Sequence, residues 1–423
     1  MIVAGDQQLL KQVNRMALVR QLASTPGMSR AALAETVGLT KSTISLLVRE
    51  LMEEGWLSES ASLTTGALGR RATPLHIDGS RLALLGADLS ISAARLVATN
   101  LLGEVLAEQV LPYAAPDDAA SCIALMAAGL AALTASPALA RRTVLGIGVG
   151  LHGVVDDATG MLRYAPHQGW RNVDVAGQLH AHFAGTPLAG LPLYIQNEAN
   201  VAALGELEFA GESSADPLIY LSIGYGVGAG IIVDGRLLTG LYGFAGEVGH
   251  TILQQGGPRC SCGRHGCADA LIGLRALMDT VYGKQQPATQ EQLERLFTQA
   301  ESGDEAAARA VEAAGRNMGV LLNNLWVAFD PMCIVIGGAA LRLGERLIAP
   351  GRRVLDECAA ATQLTAPTVR TPHFGNNGIA IGGAAMARHY LMRPFDGQGP
   401  ARRNRARLDE LPPALAASLQ VWG

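Results

Sequence analysis

His250 is followed, after nine residues, by Cys260-Ser261-Cys262-Gly263-Arg264-His265-Gly266-Cys267, so three of the chain's six cysteines fall within eight positions. Three thiolates and one imidazole are a ligand set for tetrahedral zinc, which requires the backbone to fold tightly around the ion. Gly263 and Gly266 permit such folding, because glycine reaches positive φ without a Cβ penalty. The alternatives are a run of small buried cysteines or a disulfide. A Cys-x-Cys pair is awkward for a disulfide, and Cys122, Cys333 and Cys358 are scattered. With His250, Cys260, Cys262 and Cys267 as ligands, protein fills all four positions, which describes a structural rather than a catalytic Zn2+ site.

The elements that must position these residues belong to a chain of 423 residues, 49% hydrophobic and 17% charged, long enough for two or three domains. A formal net charge of −4 gives no global attraction to nucleic acid, so any DNA contact must come from a local basic surface. Met1–Gln8 lacks the basic start and apolar core of a signal peptide, and no apolar run is long enough to span a membrane. Free thiols suited to metal then fit a reducing, cytoplasmic setting.

Residues 1–80 read as a DNA-binding head. Helical spacing runs from Gln8 to Ala23. Ser29 can N-cap a second helix to Val37, Gly38-Leu39-Thr40 makes a turn, and a third helix extends from Lys41 to about Glu54. This is helix-turn-helix order, in which the last helix enters the major groove. Lys41, Ser42, Thr43 and Ser45 are placed for base edges or phosphate, and Arg49 for the backbone. Two following strands joined by a Gly-rich tip carrying Arg70 and Arg71 make a wing, suited to a minor groove. Residues 1–76 hold eight Lys/Arg against six Asp/Glu, a weak basic excess, so a helical domain for protein contact remains the competing reading.

From Leu82 the pattern is α/β. Strands are expected at Leu82–Leu89, Ala93–Thr99, Glu104–Val110, Val144–Val149 and up to Tyr194–Gln196, with helices over Asp117–Ser136 and Ala199–Ala210. A second cycle opens at Leu218–Ile223, passes through a glycine-rich run to Gly230, continues at Ile231–Val233 and includes Cys333–Ile336. Strands mixed with helices, twice over, indicate two α/β lobes with a cleft between them. Gln285–Gln299 reads as a solvated helix with its loop, and 393–423 as a partly disordered tail.

The winged helix, then Gly148-Val149-Gly150-Leu151-His152-Gly153-Val154-Val155-Asp156, Asn197-Glu198-Ala199-Asn200, Gly246-Glu247-Val248-Gly249-His250 and the cysteine motif, taken in that order, resemble the ROK family of sugar-responsive repressors and sugar kinases. The resemblance runs from about Gln8 to about His389. It implies an actin/hexokinase-like body of two lobes, a sugar in the cleft and zinc bracing the sugar-binding loop. The boundaries expected are 1–80 for the head and 81–197 for the first lobe, completed by a helix at about 378–392. The second lobe is then 198–377, with the tail at 393–423. The winged helix marks the repressor branch. Carried over by position, Asn197 and Glu198 take ring hydroxyls, Glu247 and His250 face the sugar or the metal, and Asp269 stands where the family has a hydroxyl-contacting Glu. His167, in a loop where relatives carry an asparagine, can substitute for it. Each has a plainer reading: a solvated loop carboxylate for Glu247, a helix N-terminal carboxylate for Asp269, a surface histidine for His167.

Family kinases carry Asp-x-Gly-Gly-Thr where this chain has Asp88-Leu89-Ser90-Ile91-Ser92, and Gly-Thr-Gly where it has Gly224-Tyr225-Gly226. Ser90 and Ile91 put side chains where phosphate must approach the backbone, and Tyr225 crowds the second phosphate loop. Glu198 replaces the catalytic aspartate, displacing its carboxylate by about an ångström. The resemblance therefore implies a non-enzymatic sensor: a dimeric or tetrameric repressor of a pseudo-palindromic operator, in which a sugar closes the lobes and respaces the recognition helices. An active kinase with a DNA-binding head, and a repressor answering to a protein, are the rival readings. The Asn197-Glu198 pair resembles the xylose-responsive branch, which makes xylose the first effector to consider.

Overall fold

Two hydroxyl caps set the short helices of the head. The structure, a computed structural model, describes residues 7–60, 73–165, 168–211, 216–241, 243–284 and 289–393. Arg70, Arg71 and His167 lie outside these residues, as does the tail beyond Arg393. Helix α1 (Gln7–Ser24) buries Met16, Leu18, Val19 and Leu22. Ser29 accepts the Ala32 amide at 3.2 Å to start α2 (Arg30–Val37), which ends on Gly38 at φ 74°. Thr40 caps α3 (Lys41–Glu53) in the same way through Thr43, and Ile44, Leu47, Val48 and Leu51 turn inward. The chain bends by 114° between α2 and α3, an angle typical of a helix-turn-helix. Strands β1 (Leu57–Glu59) and β2 (Leu75–Ile77) pair antiparallel as the base of the wing. Among the described residues no single helix is long and apolar enough to cross a membrane.

The chain divides into two compact units, one running to Val201 and resuming at Asn376, the other spanning Ala202–Gly375. In the first, β3 (Leu82–Leu89), β4 (Ala93–Thr99) and β5 (Val105–Pro112) form an antiparallel run. Helix α4 (Ala119–Thr134) leads to β6 (Thr143–Leu151), which joins β3 in parallel. A small sheet of β7 (Val154–Asp156), β8 (Met161–Ala165) and β9 (Trp170–Asp174) precedes α5 (Val175–Phe183). Then β10 (Leu193–Asn197) joins β6 in parallel and runs directly into α6 (Glu198–Phe209). The sheet order is β10-β6-β3-β4-β5.

The second unit repeats this plan. An antiparallel run of β11 (Leu218–Ile223), β12 (Val227–Val233) and β13 (Arg236–Leu237) comes first. Helices α7 (Asp269–Ile272), α8 (Leu274–Tyr282), α9 (Gln290–Ser302) and α10 (Glu305–Phe329) follow. Strand β14 (Cys333–Gly337), α11 (Glu345–Thr362) and β15 (Thr368–Arg370) complete the sheet, with β14 and β15 parallel. Read from its parallel edge the order is β15-β14-β11-β12-β13, the same pattern of two parallel and three antiparallel strands as in the first unit.

Two expectations need correction. Strand β12 begins at Val227, so Gly228 and Gly230 are strand residues paired with Ser222 and Tyr220, and the turn is only Gly224–Gly226. Glycine is a turn signal, but here β11 supplies hydrogen bonds that override it. The polar stretch read as a solvated helix is instead amphipathic: α9 buries Leu293, Leu296, Phe297 and Ala300 in the unit's core.

Helix α12 (Gly378–Met392) returns to the first unit and lies backbone to backbone on its sheet. A Cβ on Gly86 would run into the Ala380 carbonyl, one on Gly148 into the Gly383 carbonyl, and one on Gly383 would come within 2.5 Å of Gly148 O. At the other end of α12, Arg20 of α1 donates to Met392 O at 2.7 Å, and Tyr390 stacks on Tyr194 with centroids 5.0 Å apart. Gly148→Ala is therefore expected to destabilise by about 2 kcal/mol or more through overpacking. Gly378→Ala, which meets open space at the start of the same helix, should be neutral or slightly stabilising. Urea melts of the two variants check this.

Candidate functional site

The segment between β13 and α7 has little regular structure, and it brings its four ligand candidates to one point. One ligand atom from each of His250, Cys260, Cys262 and Cys267 lies within 4.8 Å of all the others. His250 ends the short 3-10 turn Val248–His250, and its Nδ1 is 3.6 Å from Cys260 Sγ. Cys262 Sγ is 3.7 Å from Cys267 Sγ, far beyond a disulfide bond of about 2.05 Å. Metal bonds of about 2.3 Å to sulfur and 2.0 Å to nitrogen, set tetrahedrally, would put ligand atoms about 3.5–3.8 Å apart, the range in which these two pairs fall. Gly263 and Gly266 have φ of 85° and 73°, and a side chain at Gly266 would also strike Gln254 O. The cluster could therefore hold a metal ion.

The neighbours of the cluster tie it to the rest of the unit. Glu247 Oε2 lies 3.9 Å from His250 Nε2, on the side of the ring away from Cys260. Asp269, at the start of α7, accepts the Val227 amide at 2.8 Å through Oδ1, and its Oδ2 lies 3.9 Å from Cys260 Sγ. Burial pushes the Asp269 carboxyl up, and the Val227 amide partly offsets this. Asp269 thus links the cysteine loop to the turn before β12, where Gly226 leaves no room for a Cβ beside Oδ1. Tyr225, at the tip of that turn, holds its hydroxyl 3.5 Å from Gln290 Oε1 of α9.

In the first unit, Asn197 and Glu198 stand where β10 becomes α6. Asn197 Oδ1 accepts the Ala199 amide at 2.9 Å, so the side chain caps α6. Its Nδ2 donates to Gly153 O at 3.0 Å and to Glu198 Oε2 at 2.5 Å. Nearby are two residues whose roles the sequence did not reveal. Asp88, only 3% exposed at the end of β3, is bonded through Oδ1 to His152 Nε2 at 3.0 Å. Burial alone would lower the His152 imidazole, but the Asp88 charge overrides it and pushes the pKa up to about 9. The Glu198 carboxyl is pushed up by burial, and the His152 charge and local backbone amides pull it part of the way back. Gln168, also buried, donates from Nε2 to Ser90 O at 3.3 Å, while its Oε1 has no partner. His152 stood within the quoted glycine motif, and the only signal of its role was an imidazole among glycines.

On the head, Lys41, Ser42, Ser45 and Arg49 are exposed on α3 and Thr43 is half-buried. Thr40 Oγ1 pairs with Ser42 at 2.9 Å and Thr43 at 2.8 Å, and the Ser45 hydroxyl donates to Lys41 O at 2.8 Å. The early face of α3 therefore presents hydroxyls and one ammonium in a fixed array.

Residues 85–390 match the sequence profile described as the ROK family, and residues 13–58 match winged helix-turn-helix DNA-binding. The chain belongs to the ROK family and carries an N-terminal winged helix-turn-helix. The xylose repressor of Caldicellulosiruptor bescii is 29% identical over 393 residues, 90% of this chain and 97% of that one. The DNA-binding transcriptional dual regulator NagC of Escherichia coli is 27% identical over 401 residues, 92% and 95% of the two chains. A crystal structure of a ROK family transcriptional regulator, a homologue of the E. coli MLC protein, shares the fold at a TM-score of 0.73 and 23% identity, over 98% of this chain and all of that one. The ROK hexokinase of Thermus thermophilus aligns over 74% of this chain and 100% of its own, with a TM-score of 0.59 and 30% identity. The body is accordingly a hexokinase-like fold of two units.

The raised pKa of His152 has a consequence for stability. Its contribution is fully present below the unfolded value of 6.5 and is lost as pH rises through about 9. The protein should lose on the order of 1–3 kcal/mol between pH 7 and 9.5, at about 1.4 kcal/mol per pKa unit. His152→Asn should flatten that part of the profile in denaturant melts.

Proposed function

We propose that this chain is a sugar-responsive transcriptional repressor. The observation that carries the reading is the joining, in one chain, of a winged helix-turn-helix with exposed Lys41, Ser42, Ser45 and Arg49 to a body of the ROK family. The names of relatives that span almost the whole chain, a xylose repressor and NagC, support it. Lys41, Ser42, Thr43 and Ser45 would read an operator from α3, Arg49 would meet the DNA backbone, and Arg70 and Arg71 would serve from the wing. Binding to a pseudo-palindromic operator calls for a homodimer or tetramer, acting in the cytoplasm.

The effector is a monosaccharide, with xylose the first to test. Asn197, Glu198, Glu247, His250, Asp269 and His167 are the proposed contacts. Ionised carboxylates bind sugar hydroxyls with charge-assisted strength. Operator affinity falls to the extent that the sugar prefers the conformer that binds DNA poorly. The ion assigned to His250, Cys260, Cys262 and Cys267 is Zn2+, because three thiolates and an imidazole with tetrahedral spacing suit it and leave no open position. When bound it supplies four short bonds that fix the loop carrying Glu247.

Phosphoryl transfer does not fit this reading. Ser90 and Ile91 occupy the first phosphate turn, Tyr225 the second, and Glu198 the position of the base. The 30% identity to a hexokinase favours the kinase alternative, and a coupled ADP-release assay with xylose and glucose separates the two. No ADP release above background is expected, and turnover dependent on a sugar would overturn the sensor. In an operator-release assay, with a fragment recovered by in vitro selection, sugar should displace the parent from DNA. Cys262→Ser should still bind the operator yet need roughly tenfold more sugar for release, and a normal response would show that the metal does not brace the loop.

A further inference from the structure

Helix α3 turns Ile44, Leu47, Val48 and Leu51 into the head, so its other face is what the head presents outward. That face carries Lys41, Ser42, Ser45, Leu46, Arg49 and Glu53, all exposed. Leu46 is the odd member, a leucine 44% exposed at the centre of a polar row. A surface leucine standing alone needs no function. The position of this one is what gives it a function. Ser42, Ser45 and Leu46 stand at i, i+3 and i+4, with Arg49 a turn further on, and so share one side of the helix. A homeodomain reads the major groove with side chains at this same spacing on its recognition helix.

The groups around Leu46 narrow what it can meet. Lys11 of α1 bonds Glu50 at 2.8 Å and Arg15 pairs with Glu54, so neither carboxylate leaves uncompensated negative charge on α3. The Ser45 hydroxyl gives its proton to Lys41 O at 2.8 Å, which leaves its oxygen as an acceptor. An acceptor beside an apolar tip does not suit guanine, whose groove edge offers the acceptors N7 and O6. An A·T pair suits both, because adenine offers its N6 donor and thymine its C5-methyl group.

We propose that Leu46 is a specificity-determining residue of the DNA-reading helix, packing on the C5-methyl group of a thymine in each operator half-site. The proposal rests on the repressor reading above. Contacts to phosphate set affinity and its dependence on salt, and carry no sequence information. Leu46 supplies the complementary part: it distinguishes thymine from a base that lacks the methyl group.

The test begins with selection of a duplex from random DNA by the full-length protein at fixed salt. Each thymine of one half-site, on either strand, is then replaced by deoxyuridine, which removes the methyl group and keeps every hydrogen-bonding group. Fluorescence anisotropy compares wild type with Leu46→Ala on these duplexes. At one thymine the replacement should weaken wild type about fourfold, the loss of one buried methyl group, and leave Leu46→Ala unaffected. Leu46→Met, which keeps an apolar tip, should keep the sensitivity. Leu46 is exposed and alanine favours helix, so Leu46→Ala should melt as wild type does. Deoxyuridine effects that are the same in wild type and Leu46→Ala at every thymine, or half-sites without thymine, overturn the proposal. Altered self-association of Leu46→Ala in sedimentation, with no coupling to any thymine, overturns it too and makes Leu46 a protein contact. Selection that enriches no sequence removes the operator-binding reading, and this inference with it.

Discussion

The first unit depends on a contact that admits no side chain. Helix α12 reaches β3 and β6 closely only because Gly86, Gly148 and Gly383 place backbone against backbone. That seat closes a core begun some three hundred residues earlier in the sequence, and a Cβ at any of the three glycines would have to displace a carbonyl. Around it are arranged the parts that matter for function. The turn carrying His152 leaves β6 just beyond Gly148 and Gly150, Val201 of α6 packs on Gly382, and Arg20 of the head bonds the end of the helix. The head and the strand and helix that meet at the Asn197–Glu198 corner thus all pack against one helix.

The second unit meets the opposite problem. Its loop from Thr251 to His265 exposes most of its side chains and buries little apolar surface, so hydrophobic packing cannot fix its shape. Convergence of one imidazole and three sulfurs supplies the missing constraint, and Asp269 extends it to the turn before β12. An aspartate suffices there because the carboxylate has to reach the Val227 amide, immediately beside Gly226. A longer side chain at 269 would have to be accommodated in that tight space.

Features set by neighbours along the chain were legible in the sequence. The cap at Ser29 and the ligand spacing of His250 to Cys267 involve residues within a few turns of one another, and their types dictate their geometry. What escaped were pairings between distant segments. His152 and Asp88 are 64 residues apart, and Glu206 bonds Arg370, 164 residues away, inside the second unit. No local pattern marks such partners, since a lone histidine or glutamate carries no period. Gly228 and Gly230 misled for a related reason: glycine signals a turn until a partner strand supplies the hydrogen bonds. The double role of Asn197, as a cap of α6 and a donor to Glu198, likewise needed coordinates.

On the proposed function, a hexokinase-like body keeps sugar recognition and gives up phosphoryl transfer. That is tested most directly by calorimetric titration of the metal-replete protein with xylose, glucose, N-acetylglucosamine, allose and fructose, each with and without ATP. One of these sugars should bind with a heat that ATP leaves unchanged. A heat of turnover that appears only when sugar and ATP are both present would contradict it.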